Sequence, residues 1–259
     1  MLRPRITPCL LVQNGGLVKT VQFKAARYIG DPINAIKIFN EKETDELIVL
    51  DIDATAHGLE PNFRLISQFA VECRMPLSYG GGIKTPAQAK RIIRLGVEKI
   101  AISSAATDNP EIISEIASEI GSQSVVVVID AKRDSRTLNY EVRTRNGTAK
   151  TGKTPVQAAQ EAESRGAGEI VVNSIDSDGM MNGYDLALAS QVRNATRLPM
   201  SVLGGAGSLD DLGKLISTTG VVGAAAGSLF VFKGPLRGVL ISYPNPAQRE
   251  EIIRAALRT

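Results

Sequence analysis

Tryptophan is absent from this chain, histidine occurs once, cysteine twice, and aromatic residues make up only 4%. A single histidine, His57, leaves no set of imidazoles to hold a metal. It falls in the polar stretch DATAHGLEPN, where a solvated loop side chain is expected. Two cysteines, Cys9 in an apolar run and Cys73, build no disulfide framework and read as free, buried thiols. Charge of one sign is also missing as a block. The 30 basic and 27 acidic residues are interspersed for a net charge of +3, with no aromatic ladder, which argues against nucleic acid. No apolar run approaches the ~18–20 residues of a membrane span. The opening MLRPRIT has no charged segment leading into an apolar stretch and a cleavage site, so a cytoplasmic protein without export is expected.

What is present is a regular alternation. Eight short β-branched runs stand out: RITPCLLV (5–12), ELIVLDI (46–52), PLSYG (76–80), KIAIS (99–103), SVVVVID (124–130), EIVVN (169–173), PMSVL (199–203) and VVGAAA (221–226). Amphipathic segments such as PAQAKRIIRLG and TPVQAAQEAESRGAG lie between them. Eight strands alternating with helices predict a parallel sheet closed as a (β/α)8 TIM barrel, an α/β fold. The unalternating SVVVVI suits a strand covered on both faces. At 259 residues, with 43% hydrophobic residues and no linker, the chain reads as a single barrel domain over 1–259.

An internal repeat divides it into half-barrels of about 1–122 and 123–259. ELIVLDIDA (46–54) matches EIVVNSIDS (169–177), and MPLSYGGGIKTPAQ (75–88) matches LPMSVLGGAGSLDD (198–211). Glu46 with Glu169, Asp53 with Asp176, Pro76 with Pro199 and Gly81-Gly82 with Gly204-Gly205 all share an offset of 123. AISSAA (101–106) is set opposite AAAGSL (224–229) at the same offset. A repeat copies sites as well as strands. Small residues after the third, fourth, seventh and eighth strands let backbone N–H groups approach a phosphate. Asp178, Gly179, Gly205, Gly227 and Ser228 form the candidate phosphate site of the second half, and Gly82, Ser103 and Ser104 that of the first. Two such sites across one mouth suit an elongated small molecule phosphorylated at both ends. The bland alternative is that these glycines merely satisfy tight turns.

These residues, with RITPCL, GDP, DELIVLDI, GGGIKT, DNPE, GSQSVVVVIDAK, GAGEI, SIDSDG, GYD and GGAG, closely resemble the HisF family over essentially the whole chain. HisF is the cyclase subunit of imidazole glycerol phosphate synthase. The resemblance implies a HisH-like glutaminase docked on the strand-start end of the barrel, and ammonia crossing the interior. At the far end a bisphosphate ribonucleotide is cleaved and closed to an imidazole, with no cofactor or metal. It implies an ammonia gate at Arg5, Glu46, Lys99 and Glu169, each opening its strand candidate. It also implies a mobile-loop lysine, Lys19, after the first strand, and two catalytic carboxylates on the first and fifth strands.

One carboxylate maps onto Asp130; the other position is held by Leu11. Cleavage and ring closure need one group to take a proton and another to give one, and loss of either typically costs ~10²–10⁴-fold in rate. Asp51, Asp53 and Asp178 are nearby acids, but none lies on the first strand. Leu203, at the end of the seventh strand, replaces a small polar residue of the family pattern. Three readings follow. In the first, the chain resembles the HisF-like branch of surface-polysaccharide gene clusters, and passes ammonia toward an ATP-dependent sugar amidotransferase that turns an acetamido group into acetamidino. In the second, it is a working histidine-biosynthetic cyclase with a displaced acid. In the third, it is a non-catalytic scaffold for a phosphorylated ligand.

Overall fold

The protein was analysed as a computed structural model that describes residues 3–258. Eight parallel strands close on themselves: β1 (Arg5–Gln13), β2 (Leu47–Asp51), β3 (Leu77–Gly80), β4 (Lys99–Ile102), β5 (Val125–Arg133), β6 (Glu169–Ser174), β7 (Met200–Leu203) and β8 (Gly223–Ala226). Each pairs with the next, and Arg5↔Gly223 through Pro8↔Ala226 close the ring between β1 and β8. Outside lie α1 (Pro32–Glu41), α2 (Phe63–Glu72), α3 (Pro86–Arg94), α4 (Glu111–Ile120), α5 (Pro155–Ser164), α6 (Leu186–Ala195), α7 (Leu209–Thr219) and α8 (Pro246–Arg258). This is the (β/α)8 barrel that the alternation of apolar runs predicts. Among the described residues no helix is long and apolar enough to cross a membrane.

Helix starts carry the repeat into the structure. Asp31 and Thr154, Asn62 and Asp185, and Thr85 and Ser208 all cap helices by accepting from a backbone N–H three residues on, each pair 123 residues apart. Such a cap is worth about 1 kcal/mol. The offset fails in the last unit. Ser78 pairs with Lys99 as Ser201 pairs with Gly223, so the equivalent of Lys99 is Gly223, 124 residues away. The 123 alignment of AISSAA with AAAGSL is therefore one residue out of register. The cause lies in the preceding units, where α7 has 11 residues against 9 in α3.

Two apolar cores result from strands covered on both faces. The larger one, between strands and helices, holds Ile6, Ile36, Phe39, Ile66, Phe69 and Ile92, each 0% exposed. Full burial of one such side chain contributes roughly 1.5–3 kcal/mol. The smaller one fills the barrel axis with Cys9, Ile48, Ala101, Val126, Val128, Val171, Leu203 and Ala225, with Leu11 and Leu50 packed on it.

After β1 the chain does not enter an open loop. Asn14 and Gly15, at φ 50° and 75°, turn it into an antiparallel hairpin of Gly16–Val21 and Lys24–Gly30. Both central residues lie in the left-handed region, as a two-residue hairpin turn requires. The far turn uses Gln22 and Phe23 at φ 51° and 62°, a conformation that costs energy for side chains of this kind. After β5 a second antiparallel extension, Tyr140–Thr144 with Ala149–Lys150, mirrors the first. Each tip reaches the opposite half: Gln22 Nε2 donates to Asp176 O and Asn146 Nδ2 to Ile52 O, both at 2.9 Å.

Candidate functional site

The strand ends and the two hairpins enclose a pocket of about 530 Å³ at the C-terminal end of the barrel. Every residue assigned by sequence to the mouth lines it: Leu11, Lys19, Gly82, Ser103, Ser104, Asp130, Asp178, Gly179, Leu203, Gly205, Gly227 and Ser228. The two sets of small-residue turns thus face one cavity.

Asp130 stands near the end of β5. Its carboxylate accepts from Ser103 Oγ at 3.1 Å and Asn173 Nδ2 at 3.0 Å. Burial pushes its pKa up to about 6, against the pull of those two hydrogen bonds. Register places Leu11 as its counterpart. Leu11 is opposite Leu50 on β2 as Asp130 is opposite Asn173 on β6, and Leu50 and Asn173 are 123 residues apart. The first half therefore has Leu11 beside Leu50 where the second has a carboxylate bonded to an amide. Of the acids that could stand in, Asp53 is buried and accepts from Gln13 Nε2 at 3.0 Å and Asn14 N at 2.7 Å. Asp51 accepts from the backbone of Asp53 and Ala54, at 3.0 and 3.2 Å, and burial raises its pKa. Both are committed to turns, Asp51 to its own and Asp53 to the one that follows β1.

Lys19 corrects the sequence reading. It lies in a strand of the first hairpin, not a loop, and is 7% exposed. Its Nζ donates to Cys9 O at 2.7 Å, and burial lowers its pKa, offset in part by Cys9 and Asp178. A Cβ at Gly227 would collide with this ammonium group, so glycine there makes room for the lysine. Asp178 lines the pocket and is also bonded to the hairpin. Its carboxylate accepts from Thr20 Oγ1 at 2.7 Å and Phe23 N at 3.1 Å, and its carbonyl from Gln22 N at 2.9 Å. These bonds offset the strain of the Gln22–Phe23 turn, so Asp178 ties the hairpin across the mouth. Its anionic group faces the hairpin.

The turns themselves are tight. Gly82 and Gly205 have φ 73° and 110°, and a Cβ on Gly205 would collide with Gly183 O. Gly82 N is held by Thr55 Oγ1 at 3.2 Å, and Ser104 Oγ accepts from Arg145 N at 3.2 Å. Arg145 and Lys84 line the first-half side of the pocket and Lys19 the second, so cationic groups stand on both.

At the opposite end, Arg5, Glu46, Lys99 and Glu169 close a ring. Arg5 bridges Glu46 at 2.7 Å and Glu169 at 2.8 Å, and Lys99 reaches both carboxylates at 2.8 Å. Glu46 precedes the first residue of β2 by one position; the other three open their strands. Burial opposes ionisation of Glu169, but Arg5 and Lys99 outweigh it and hold the carboxyl below its usual range. Alternating signs make four charges at one barrel end tolerable.

Cys9 is buried and free, and burial moves its thiol up to about 11; Cys73 is free but only half-buried, bonding Met75 O at 3.3 Å. The His57 side chain is 63% exposed, as expected. Three partners escaped the sequence reading: Asn173, Thr20 and Ser201, whose Oγ donates to Glu169 Oε1 at 2.8 Å. The repeat carried a signal for Asn173, a polar residue opposite Leu50. Thr20 and Ser201 had none, because their partners are 158 and 32 residues away.

A sequence profile of the family described as histidine biosynthesis protein matches residues 5–236. A Leptospira interrogans protein is 58% identical over 252 residues, 97% of this chain and 99% of its own length. One from Vibrio vulnificus is 51% identical over 253 residues, 98% of this chain and 97% of its own. The first carries the name imidazole glycerol phosphate synthase subunit HisF and the second imidazole glycerol phosphate synthase subunit hisF3, each on a provisional basis. The Exiguobacterium sibiricum subunit HisF, named without that reservation, is 40% identical over 230 residues, 89% of this chain and 91% of its own.

Proposed function

The chain belongs to the histidine biosynthesis protein family, with HisF subunits among its relatives, and on that premise we propose that it is the ammonia-receiving barrel of a glutamine amidotransferase. A HisH-like glutaminase binds the strand-start end, at the ring of Arg5, Glu46, Lys99 and Glu169. Ammonia crosses the barrel and leaves at the mouth pocket. Its destination is a nucleotide-linked sugar of surface polysaccharide, whose acetamido group an ATP-dependent partner converts to acetamidino.

One observation carries this reading: the charged ring is complete while the mouth has an aliphatic side chain, Leu11, where its repeat mate is Asp130. A barrel that must take and give protons needs two groups of separated pKa. Asp130, with its pKa near 6, supplies one. The nearby acids are held in turns, and Leu203 adds a second apolar group. In this role Asp130 orients ammonia or a partner loop, and Gly82, Ser103, Ser104, Asp178, Gly179, Gly205, Gly227 and Ser228 surround whatever phosphorylated ligand the mouth receives.

The second reading is cyclisation of the bisphosphate ribonucleotide, as the relatives' names denote. Cationic groups on both sides of a pocket lined by two sets of small turns favour it. Lys19 would then be the group left to share proton transfer with Asp130. Supplying the purified protein with ammonia and that ribonucleotide separates the two. Turnover at the rate of a cyclase with both carboxylates defeats the conduit reading; turnover lower by two or more orders of magnitude supports it.

A further inference from the structure

Two stretches of the chain hold no acidic residue: 14–30, which forms the first hairpin, and 227–243, which leaves the barrel after β8. Both carry residues that line the mouth pocket, Lys19, Thr20 and Phe23 in one and Gly227 and Ser228 in the other. The second stretch folds back as a small antiparallel hairpin, Phe232–Lys233 with Gly238–Val239. Arg27 stands over the Phe232 ring, 5.7 Å from its centroid, so the two hairpins meet at the rim of the mouth.

This rim is apolar and basic at once. Leu236 is 93% exposed and Tyr28 68%, and Val239 and Leu240 are exposed beside them in the chain. Lys24, Arg27, Lys233 and Arg237 supply four cations, and among the described residues none of the four forms an ion pair. The acids at hand are taken: Asp31 caps α1, and Asp178 accepts from Thr20 and Phe23. Among the described residues the strand Lys24–Gly30 pairs on one side only, with Gly16–Val21. Its other edge presents backbone groups open to a further strand.

We propose that this rim is the docking surface for the protein that takes nitrogen from the mouth, through an extended segment of that protein rich in Asp and Glu with apolar residues between them. The proposal rests on the conduit reading above. Such a segment adds to the free edge of Lys24–Gly30 by main-chain hydrogen bonds, sets carboxylates against the four cations, and covers Leu236, Val239 and Leu240. Its carrier then stands over the pocket from which ammonia leaves. Two other occupants fit less well. A second copy would bring the same basic rim against itself, and facing like charges oppose association. An anionic lipid surface satisfies the cations and leucines but leaves the strand edge without a partner.

The test titrates the barrel, in complex with its glutaminase, with the ATP-dependent amidotransferase that acts on a nucleotide-linked acetamido sugar. Binding is read by interferometry and by amide hydrogen exchange. Wild type is expected to bind, and Leu236→Asp and the pair Lys233→Glu with Arg237→Glu each to weaken binding at least about tenfold. Glutamine hydrolysis by the barrel and its glutaminase should be unchanged in both variants, which shows that they fold. Binding by either variant equal to wild type overturns the surface and leaves the conduit reading standing. Exchange at Lys24–Gly30 should slow in the wild-type complex, and unchanged exchange there overturns the strand addition. Wild type that does not bind overturns the proposal. If it also turns over the bisphosphate ribonucleotide at the rate of a complete cyclase, the conduit reading falls with it. Sedimentation of the barrel alone and with phosphatidylglycerol vesicles checks the other occupants. Self-association or vesicle binding that Leu236→Asp abolishes overturns the acidic protein partner.

Discussion

The two halves of this barrel are built alike at the outside and differently on the axis. Caps at Thr85 and Ser208, and the acids Asp53 and Asp176 that accept from Asn14 N and Arg133 N at 2.7 Å, recur in both. At the top layer of the axis the first half has Leu11 and Leu50, and the second Asp130 and Asn173. At the bottom, the structural counterpart of Lys99 of the first half is Gly223, which carries no charge. Backbone geometry is what the repeat conserves, because both halves must close one cylinder. Axial side chains touch one another and not the repeat frame, so they are free to diverge with function.

The sharpest way to break this comparison is to make the halves alike. Leu11→Asp should raise ammonia-dependent cyclisation of the bisphosphate ribonucleotide by ~10²–10⁴-fold, the usual worth of one proton-transfer group, measured by product chromatography. No gain would mean that the missing acid is not what separates this mouth from a cyclase. Next in size is the ring. Glu169→Ala removes a partner from Arg5, Lys99 and Ser201 at once and should destabilise the protein by about 3 kcal/mol, the low end for breaking a buried pair. Glu46→Ala, which leaves Ser201 bonded to Glu169, should cost less. Urea unfolding of both variants settles the order, and equal losses would show that Ser201 contributes nothing.

Asp130 has no ionisable mate in the first half, and its effect should depend on pH. Its folded pKa lies above the usual 3.8, at about 6, so the folded protein holds this proton more tightly than the unfolded chain. The contribution of this group to stability is therefore full below about pH 4 and is lost as pH rises through about 6, by at most roughly 3 kcal/mol. Asp130→Asn should be more stable than wild type at pH 8 by about 2 kcal/mol and indistinguishable near pH 4, by urea midpoints at the two values. A variant less stable at both would show that the carboxylate is favoured where it stands. The smallest effects should be equal: Thr85→Ala and Ser208→Ala each cost about 1 kcal/mol, since both caps belong to the same box motif. A clear inequality in thermal midpoints would show that the outside of the halves has diverged too.

Much of this was open to a reader of the sequence. Runs such as SVVVVID and EIVVN mark strands because a strand buried on both faces needs apolar residues throughout. The ring was legible because Arg5, Glu46, Lys99 and Glu169 sit at strand starts, where a cylinder brings first residues together. Lys19 was misplaced because its burial comes from Cys9, Asp178 and Gly227, and no local pattern marks a strand that folds back over a barrel mouth. The sequence groups Asp178 with Gly179, Gly205, Gly227 and Ser228, but not with Thr20 and Phe23, its hydrogen-bond donors about 155 residues distant.

The sequence by itself determined the eight strands, the caps, the repeat and the absence of an acid at position 11, because each is written in the spacing or identity of residues near one another in the chain. Closure of the barrel decided the rest: which axial side chains meet, and that Asp178 holds a hairpin. Those are contacts between segments far apart in sequence, and their partners are fixed only when the ends of the sheet join.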